Sequence, residues 1–338
     1  RHLGLDAAAS GSDDQFDDGL ESALRVFQQS RGLTVDGIAG PQTLRRLEEA
    51  RWSLGDRVLS YTPSHLVHGE DVAQLQQRML ELGFTLDKVD GVFGPLTHRA
   101  VREFQRNVGL ADDGIAGPEV YTALGRLART VIGGNQEHLR ELASWDAGSR
   151  TATLDAAGFL LDPSDNPRPV AGTGMTEAEV CWDIANRLEG RLLAAGSLVV
   201  VSRSAVGGAG DEGERARLAN DQQLDLVLSL RCDHHPDPRA RGAATYYFGH
   251  EYSRSATGMR LAELVQEEVV HHTGLIDCRA HPKTWDLLRM TRMPAVRIEA
   301  GYASSPLDGA ALGNAATRDA IAAAIYAAVS RVFAPRIG

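Results

Sequence analysis

The spacing of hydrophobic positions changes part-way along the chain. Up to about residue 130 it is helical: Ala23, Leu24 and Phe27 share one face, and Asp71–Leu80 reads as a second amphipathic helix. Asp36-Gly37 marks a turn. Gly40-Pro41 then stops one element and opens the next helix with proline near its first position. From Thr151 onward, short apolar runs alternate with longer helical patterns, as in an α/β domain. This predicts strands at 152–154, 198–201, 224–230, 245–248 and 294–299. Helices are predicted at 177–195, 215–222, 253–271 and 310–333.

The first region is a repeat. Ala23-Leu24-Arg25-Val26-Phe27-Gln28, followed by Asp36-Gly37-Ile38-Ala39-Gly40-Pro41, recurs as Ala100-Val101-Arg102-Glu103-Phe104-Gln105 and Asp113-Gly114-Ile115-Ala116-Gly117-Pro118. The helix ending in Leu82-Gly83-Phe84 corresponds in the first copy only to Leu3-Gly4-Leu5, so that copy reads as truncated at its start. The expected organisation is a first repeat over 1–52, a connection over 53–69, a second repeat over 70–130, a connection over 131–150 and the α/β domain over 151–338. His65 and His68 could share a helix face as metal ligands, but the neighbouring Pro63 and the lack of a third ligand favour solvated connecting residues.

Composition narrows the function classes. A net charge of −10 argues against a nucleic-acid or anionic-membrane binder. No apolar run reaches the length of a membrane-spanning helix. The three cysteines, Cys181, Cys232 and Cys278, are odd in number and widely spaced, which fits a reducing compartment better than a disulfide framework. A reducing compartment is thus favoured over a secreted or wall-associated location, and the family resemblance carried by the motifs that follow implies the cytoplasm.

The repeated Phe-Gln and Asp-Gly-x-x-Gly-Pro pattern resembles the small three-helix peptidoglycan-binding domain. Its motif residues here are Phe27, Asp36, Gly37, Gly40 and Pro41, and Phe104, Asp113, Gly114, Gly117 and Pro118. Each of these types also has a packing or turn role, so glycan binding and scaffolding are both open. Residues 150–335 resemble the zinc-dependent N-acetylmuramoyl-L-alanine amidases of the amidase_3 type. The likeness rests on Leu154-Asp155-Ala156-Ala157-Gly158-Phe159, Gly174-Met175-Thr176-Glu177, Ser229-Leu230-Arg231-Cys232-Asp233 and Pro294-Ala295-Val296-Arg297-Ile298-Glu299-Ala300-Gly301-Tyr302. The fold it implies is a mixed, twisted sheet flanked by helices, following two all-α repeats.

The resemblance also implies a site: zinc held by histidine, glutamate and histidine, with a glutamate as general base. The corresponding positions read as Gly158, Glu177 and Arg231 for the ligands and Glu299 for the base. Only Glu177 is a ligand type, and catalytic zinc needs three protein ligands. No cofactor is expected, and hydrolysis is expected to be impaired. Arg297 shares a strand face with Glu299, so Arg231 and Arg297 are expected to replace the zinc charge and neutralise Glu177 and Glu299. What such a protein would do is regulate wall synthesis, binding muropeptide or a wall-synthesis enzyme; the resemblance implies MurA. The alternative is an active amidase cleaving the MurNAc–L-Ala bond, with zinc rebuilt from Cys232, His234, His235, His250, Cys278 and His281. The loops Gly172-x-Gly174 and Gly207-Gly208-x-Gly210 lack the context of a nucleotide site.

Overall fold

The computed structural model describes residues 16–127, 153–249 and 254–333, except 87, 205–207 and 209. The segment 1–5, the connection 131–150, Gly207 and His250 lie outside the described residues. Two compact units emerge, one within Arg1–Glu141 and one within Leu142–Phe248 and Ser255–Gly338.

The first unit is helical: α1 (Asp18–Ser30), α2 (Pro41–Glu49), α3 (Glu70–Glu81), α4 (Pro95–Asn107) and α5 (Pro118–Leu127). The Asp17 side chain caps α1 by accepting the Leu20 N–H, and a proline opens α2, α4 and α5. A glutamine clasps each Asp-Gly turn. Gln28 Nε2 donates to Asp36 Oδ1 at 2.7 Å and to Ile38 O at 3.0 Å, while its Oε1 accepts the Gly37 N–H at 2.9 Å. Gln105 repeats this with Asp113, Ile115 and Gly114 at 2.7, 3.1 and 2.8 Å. A further clasp, not isolated by sequence reading, joins Gln76 to Asp90, Val92 and Gly91 at 2.8, 3.0 and 2.9 Å. Gly37, Gly91 and Gly114 all adopt left-handed backbone, with φ of 75, 70 and 73°.

These clasps give the repeat motif its structural meaning. Phe27 and Phe104 are buried, the Asp-Gly pairs form the clasped turns, and Gly40-Pro41 and Gly117-Pro118 begin α2 and α5. The segment 53–69, expected as a simple connection, instead packs into the second repeat. Leu59 is fully buried and bridges to Ala116, Arg57 pairs with Asp71 at 2.6 Å, and Tyr121 Oη donates to Arg57 O at 2.7 Å. His68 forms a β-bridge with Val92, so neither it nor His65 lies on a helix.

The second unit is a six-stranded sheet with strands β1 (Gly158–Pro163), β2 (Leu198–Val201), β3 (Leu226–Asp233), β4 (Ala243–Phe248), β5 (Asp277–Lys283) and β6 (Ala295–Tyr302). Their spatial order is β2-β1-β3-β6-β4-β5, and β4 runs antiparallel to β6 while the other neighbours are parallel. Helices α6 (Glu177–Ala194), α8 (Ala256–Thr273) and α11 (Ala315–Phe333) contribute to the main core, which includes Phe159, Leu161, Leu228, Ile184, Val265 and Ile325. A smaller core joins Leu160, Val227 and Ala295 to α7 (Glu212–Asp221) and α9 (Asp286–Met290). The expected closing helix is two helices, α10 (Pro306–Gly313) and α11, separated by Asn314. The strand expected at 152–154 is corrected: Leu154–Ala156 is a 3-10 turn, and the first strand begins at Gly158.

Candidate functional site

Because β1, β3 and β6 are parallel neighbours, their C-terminal ends gather at one edge of the sheet, where ligands of open α/β sheets bind. Register aligns Asp162 with Ser229 and Ser229 with Arg297, and it sets Arg231 beside Glu299. Side-chain alternation then puts this whole polar row on the face covered by α7 and α9.

Asp162 is the centre of the row. It is fully buried; Arg231 Nη2 contacts its Oδ2 at 2.8 Å, and Arg215 Nε from α7 lies 2.9 Å from its Oδ1. Ser202 and Ser229 donate to the same carboxylate at 2.7 and 2.8 Å. Burial opposes its ionisation, but Arg231, Arg215 and these hydroxyls outweigh it and hold the carboxyl below the usual range. Arg231 also donates to Asp162 O at 2.6 Å and Leu230 O at 2.8 Å. The expected pairing of Arg231 with Glu177 is therefore corrected: its direct partner is Asp162, a residue the sequence reading had not singled out.

The Arg297 guanidinium sits 3.4 Å from Glu299 and 3.5 Å from Glu212, stacked 4.2 Å from the centre of the Trp285 ring. That support is shared between two carboxylates. Burial therefore dominates at Glu299 and pushes its carboxyl up to about 7, with Asp233 adding to the rise and Arg297 and Tyr246 opposing it. Lys283 and Tyr302 complete the surroundings: burial pulls the lysine's pKa down and the phenol's up. Perturbed acids and bases converging on one strand end are the usual mark of a functional cleft.

Glu177 starts α6 and is buried. Its Oε1 accepts the Cys232 N–H at 3.3 Å, and its Oε2 has no hydrogen-bond partner. Gly158 does not belong to this edge. It begins β1, pairs in register with Leu198 and donates its N–H to Asp225 Oδ2 at 2.7 Å. β1 closes on Leu161-Asp162-Pro163, so Gly158 lies at the opposite end of that strand from Asp162, and the exposed Asp165 follows the strand end.

The side chains here do not fit zinc. At the third position Arg231 presents a cation without a lone pair, locked to Asp162 and two carbonyls. Glu177, with one unpartnered oxygen, would welcome a metal. Among the described residues, no three His, Cys, Asp or Glu side chains gather to hold one. The proposed replacements are dispersed. Cys232 faces Cys181 at 4.0 Å in the core, and His234 and His235 are exposed. The Cys278 thiol turns to Arg241 O at 3.4 Å, while the His281 ring meets the Cys278 carbonyl at 2.6 Å.

Residues 164–331 match the family model described as N-acetylmuramoyl-L-alanine amidase. Residues 1–47 and 68–124 match that of a putative peptidoglycan binding domain. The chain is 43% identical over 325 residues to N-acetylmuramoyl-L-alanine amidase CwlM of Mycobacterium tuberculosis (strain ATCC 25618 / H37Rv), covering 94% of this chain and 79% of that protein. It is 30% identical over 174 residues to N-acetylmuramoyl-L-alanine amidase LytC of Bacillus subtilis (strain 168), covering half of this chain but 34% of that protein. Among solved structures, the N-acetylmuramoyl-L-alanine amidase from Clostridium difficile 630 aligns with a TM-score of 0.48 at 24% identity, over 52% of this chain and 95% of that one. No helix among the described residues is long and apolar enough to cross a membrane.

Proposed function

The chain belongs to the N-acetylmuramoyl-L-alanine amidase family and carries peptidoglycan-binding domains, and we propose that within this family it is a binding and regulatory member rather than a zinc hydrolase. The observation that carries this reading is the buried Arg231–Asp162 pair at the expected third ligand position. A metal there would face a fixed guanidinium, and Glu299 would have only ordinary water to activate. The polar row at the strand ends, Asp162, Arg231, Arg297 and Glu299, is the surface this reading assigns to muropeptide, and the N-terminal repeats support peptidoglycan as a ligand. Regulation of a wall-synthesis enzyme, MurA by resemblance, is the second half of the proposal and rests on that resemblance alone.

The test joins metal and activity. The full chain, purified without chelator and dialysed against trace zinc, should retain far less than one equivalent. It should release no peptide from peptidoglycan, and Glu299→Ala should leave its effect on MurA turnover unchanged. Stoichiometric zinc, together with zinc-dependent lysis abolished by Glu299→Ala, would overturn the proposal. No effect of the chain on MurA turnover would remove the regulatory half.

A further inference from the structure

Two thiols face each other in the main core of the α/β unit. Cys181 projects from α6 and Cys232 from β3, with their Sγ atoms 4.0 Å apart and no bond between them. Bonded sulfurs lie about 2 Å apart. Closing the gap therefore needs an approach of about 2 Å, which a turn of the side chains and a slight slide of α6 supply together. The third cysteine is no partner for either. Cys278 lies on β5, three strand positions and about 14 Å from β3, and directs its thiol to Arg241 O.

The pair is wired to the ends of both elements. Cys181 stands one turn beyond Glu177 on the same face of α6. Cys232 follows Arg231 on β3 and donates its N–H to Glu177 Oε1 at 3.3 Å. The other Glu177 oxygen is buried without a hydrogen-bond partner, so this carboxylate is held by one long bond and gives way when α6 and β3 are drawn together.

We propose that Cys181 and Cys232 form a redox switch, in which a peroxide joins them and ties the start of α6 to the end of β3 beside Arg231. The Cys232 sulfur attacks one oxygen of hydrogen peroxide, releasing water and becoming a sulfenic acid. The Cys181 sulfur then attacks that sulfur, and the hydroxyl leaves as a second water. Two thiols are oxidised by two electrons in all, one S–S bond replaces two S–H bonds, and the peroxide is reduced to two waters. Cys232 retains 5% exposure and Cys181 none, so the oxidant arrives from the Cys232 side and Cys181 resolves. The Cys181 contact and burial both push the Cys232 thiol up, which keeps it protonated at rest and makes closure slow.

Mild hydrogen peroxide treatment of the full chain, followed by alkylation under denaturing conditions and peptide mass spectrometry, tests the assignment. A linked peptide holding Cys181 and Cys232 is expected, with Cys278 outside it, and dithiothreitol should restore both thiols. Cys181→Ala should leave a sulfenic acid at Cys232 that dimedone captures, whereas Cys278→Ala should leave the link intact. In the linked chain, hydrogen exchange at the Arg231 and Cys232 amides should slow about tenfold or more. Recovery of Cys181 and Cys232 unlinked after Cys278 has been oxidised would overturn the proposal. So would links made through Cys278, or unchanged exchange at the end of β3 in the linked chain.

Discussion

Asp162→Asn would test how far the strand ends depend on their buried charge network. The substitution keeps the side chain's shape and removes its charge, leaving the guanidiniums of Arg231 and Arg215 without the carboxylate now 2.8 and 2.9 Å away. Both arginines are themselves buried. Removing one partner of such a pair costs about 3–5 kcal/mol, because the remaining charge stays desolvated. Expressed through local opening, this is roughly 10²–10⁴-fold faster hydrogen exchange at β3 amides, read by mass spectrometry on the full chain. Asp319→Asn is the control, since its pairs with Arg187 and Arg191 lie at the surface and should matter by less than about 1 kcal/mol. The pH dependence has a defined sign. The Asp162 carboxyl titrates below its unfolded value of 3.8, so its contribution is present above that pH and is lost as pH falls through the folded value. After correction for intrinsic rates, protection of β3 should decline below about pH 4 in the parent and much less in Asp162→Asn. A change under tenfold at neutral pH would refute the reasoning, meaning the guanidiniums find water or other acceptors without cost.

Two further outcomes follow from the same kind of argument. Glu299, raised from 4.5 to about 7, should make the α/β unit lose about 3 kcal/mol of stability as pH rises across that interval, because the unfolded chain ionises first. Urea unfolding of Glu299→Gln should show no such slope and greater stability than the parent at pH 8. In the second repeat, Gly114→Ala should cost about 1–2 kcal/mol from its left-handed backbone, with more added as the new methyl runs into the His98 ring. Gly117→Ala, with open space around it, should shift thermal unfolding little.

Sequence patterning was a good guide where local chemistry and tertiary role coincide. Phe27, Gln28, Asp36 and Gly37 form one clasped turn, so a short motif carries most of the repeat's structure. The Gln76 clasp uses the same atoms but spans 14 residues to Asp90 instead of 8, which hid it. Near the start of the α/β unit Leu-Asp occurs twice in close succession, at 154–155 and 161–162. Only the second ends a strand, because Phe159, Leu160 and Leu161 are needed to fill both cores, and strand position is what decides which aspartate meets Arg231. Strand β5 was missed for another reason. Asp277-Cys278-Arg279-Ala280-His281-Pro282-Lys283 has no apolar alternation, as suits an edge strand tolerant of proline. The register relation of Arg297 to Glu299 needed only strand alternation, and that part of the site was readable in advance.

Asp162 and Glu299, two buried carboxylates on this sheet face, differ in what surrounds them, and the difference decides which of them titrates near neutral pH. Asp162 has two guanidiniums within 3 Å and two hydroxyl donors, so it stays ionised and its hydrogen-bonding capacity is filled by the protein. Glu299 has one guanidinium at 3.4 Å, which Glu212 also contacts, and a second carboxylate, Asp233, beside it. It therefore changes protonation near neutral pH, while Asp162 does not. Placing a guanidinium at the end of β3 thus does more than occupy a ligand position. It spends its charge on Asp162 and leaves Glu299 dependent on Arg297 and on whatever enters the cleft. A ligand that brings a cation or a hydrogen-bond donor to Glu299 would lower its pKa and release a proton, whereas one that binds through Arg297 alone would withdraw support and raise it.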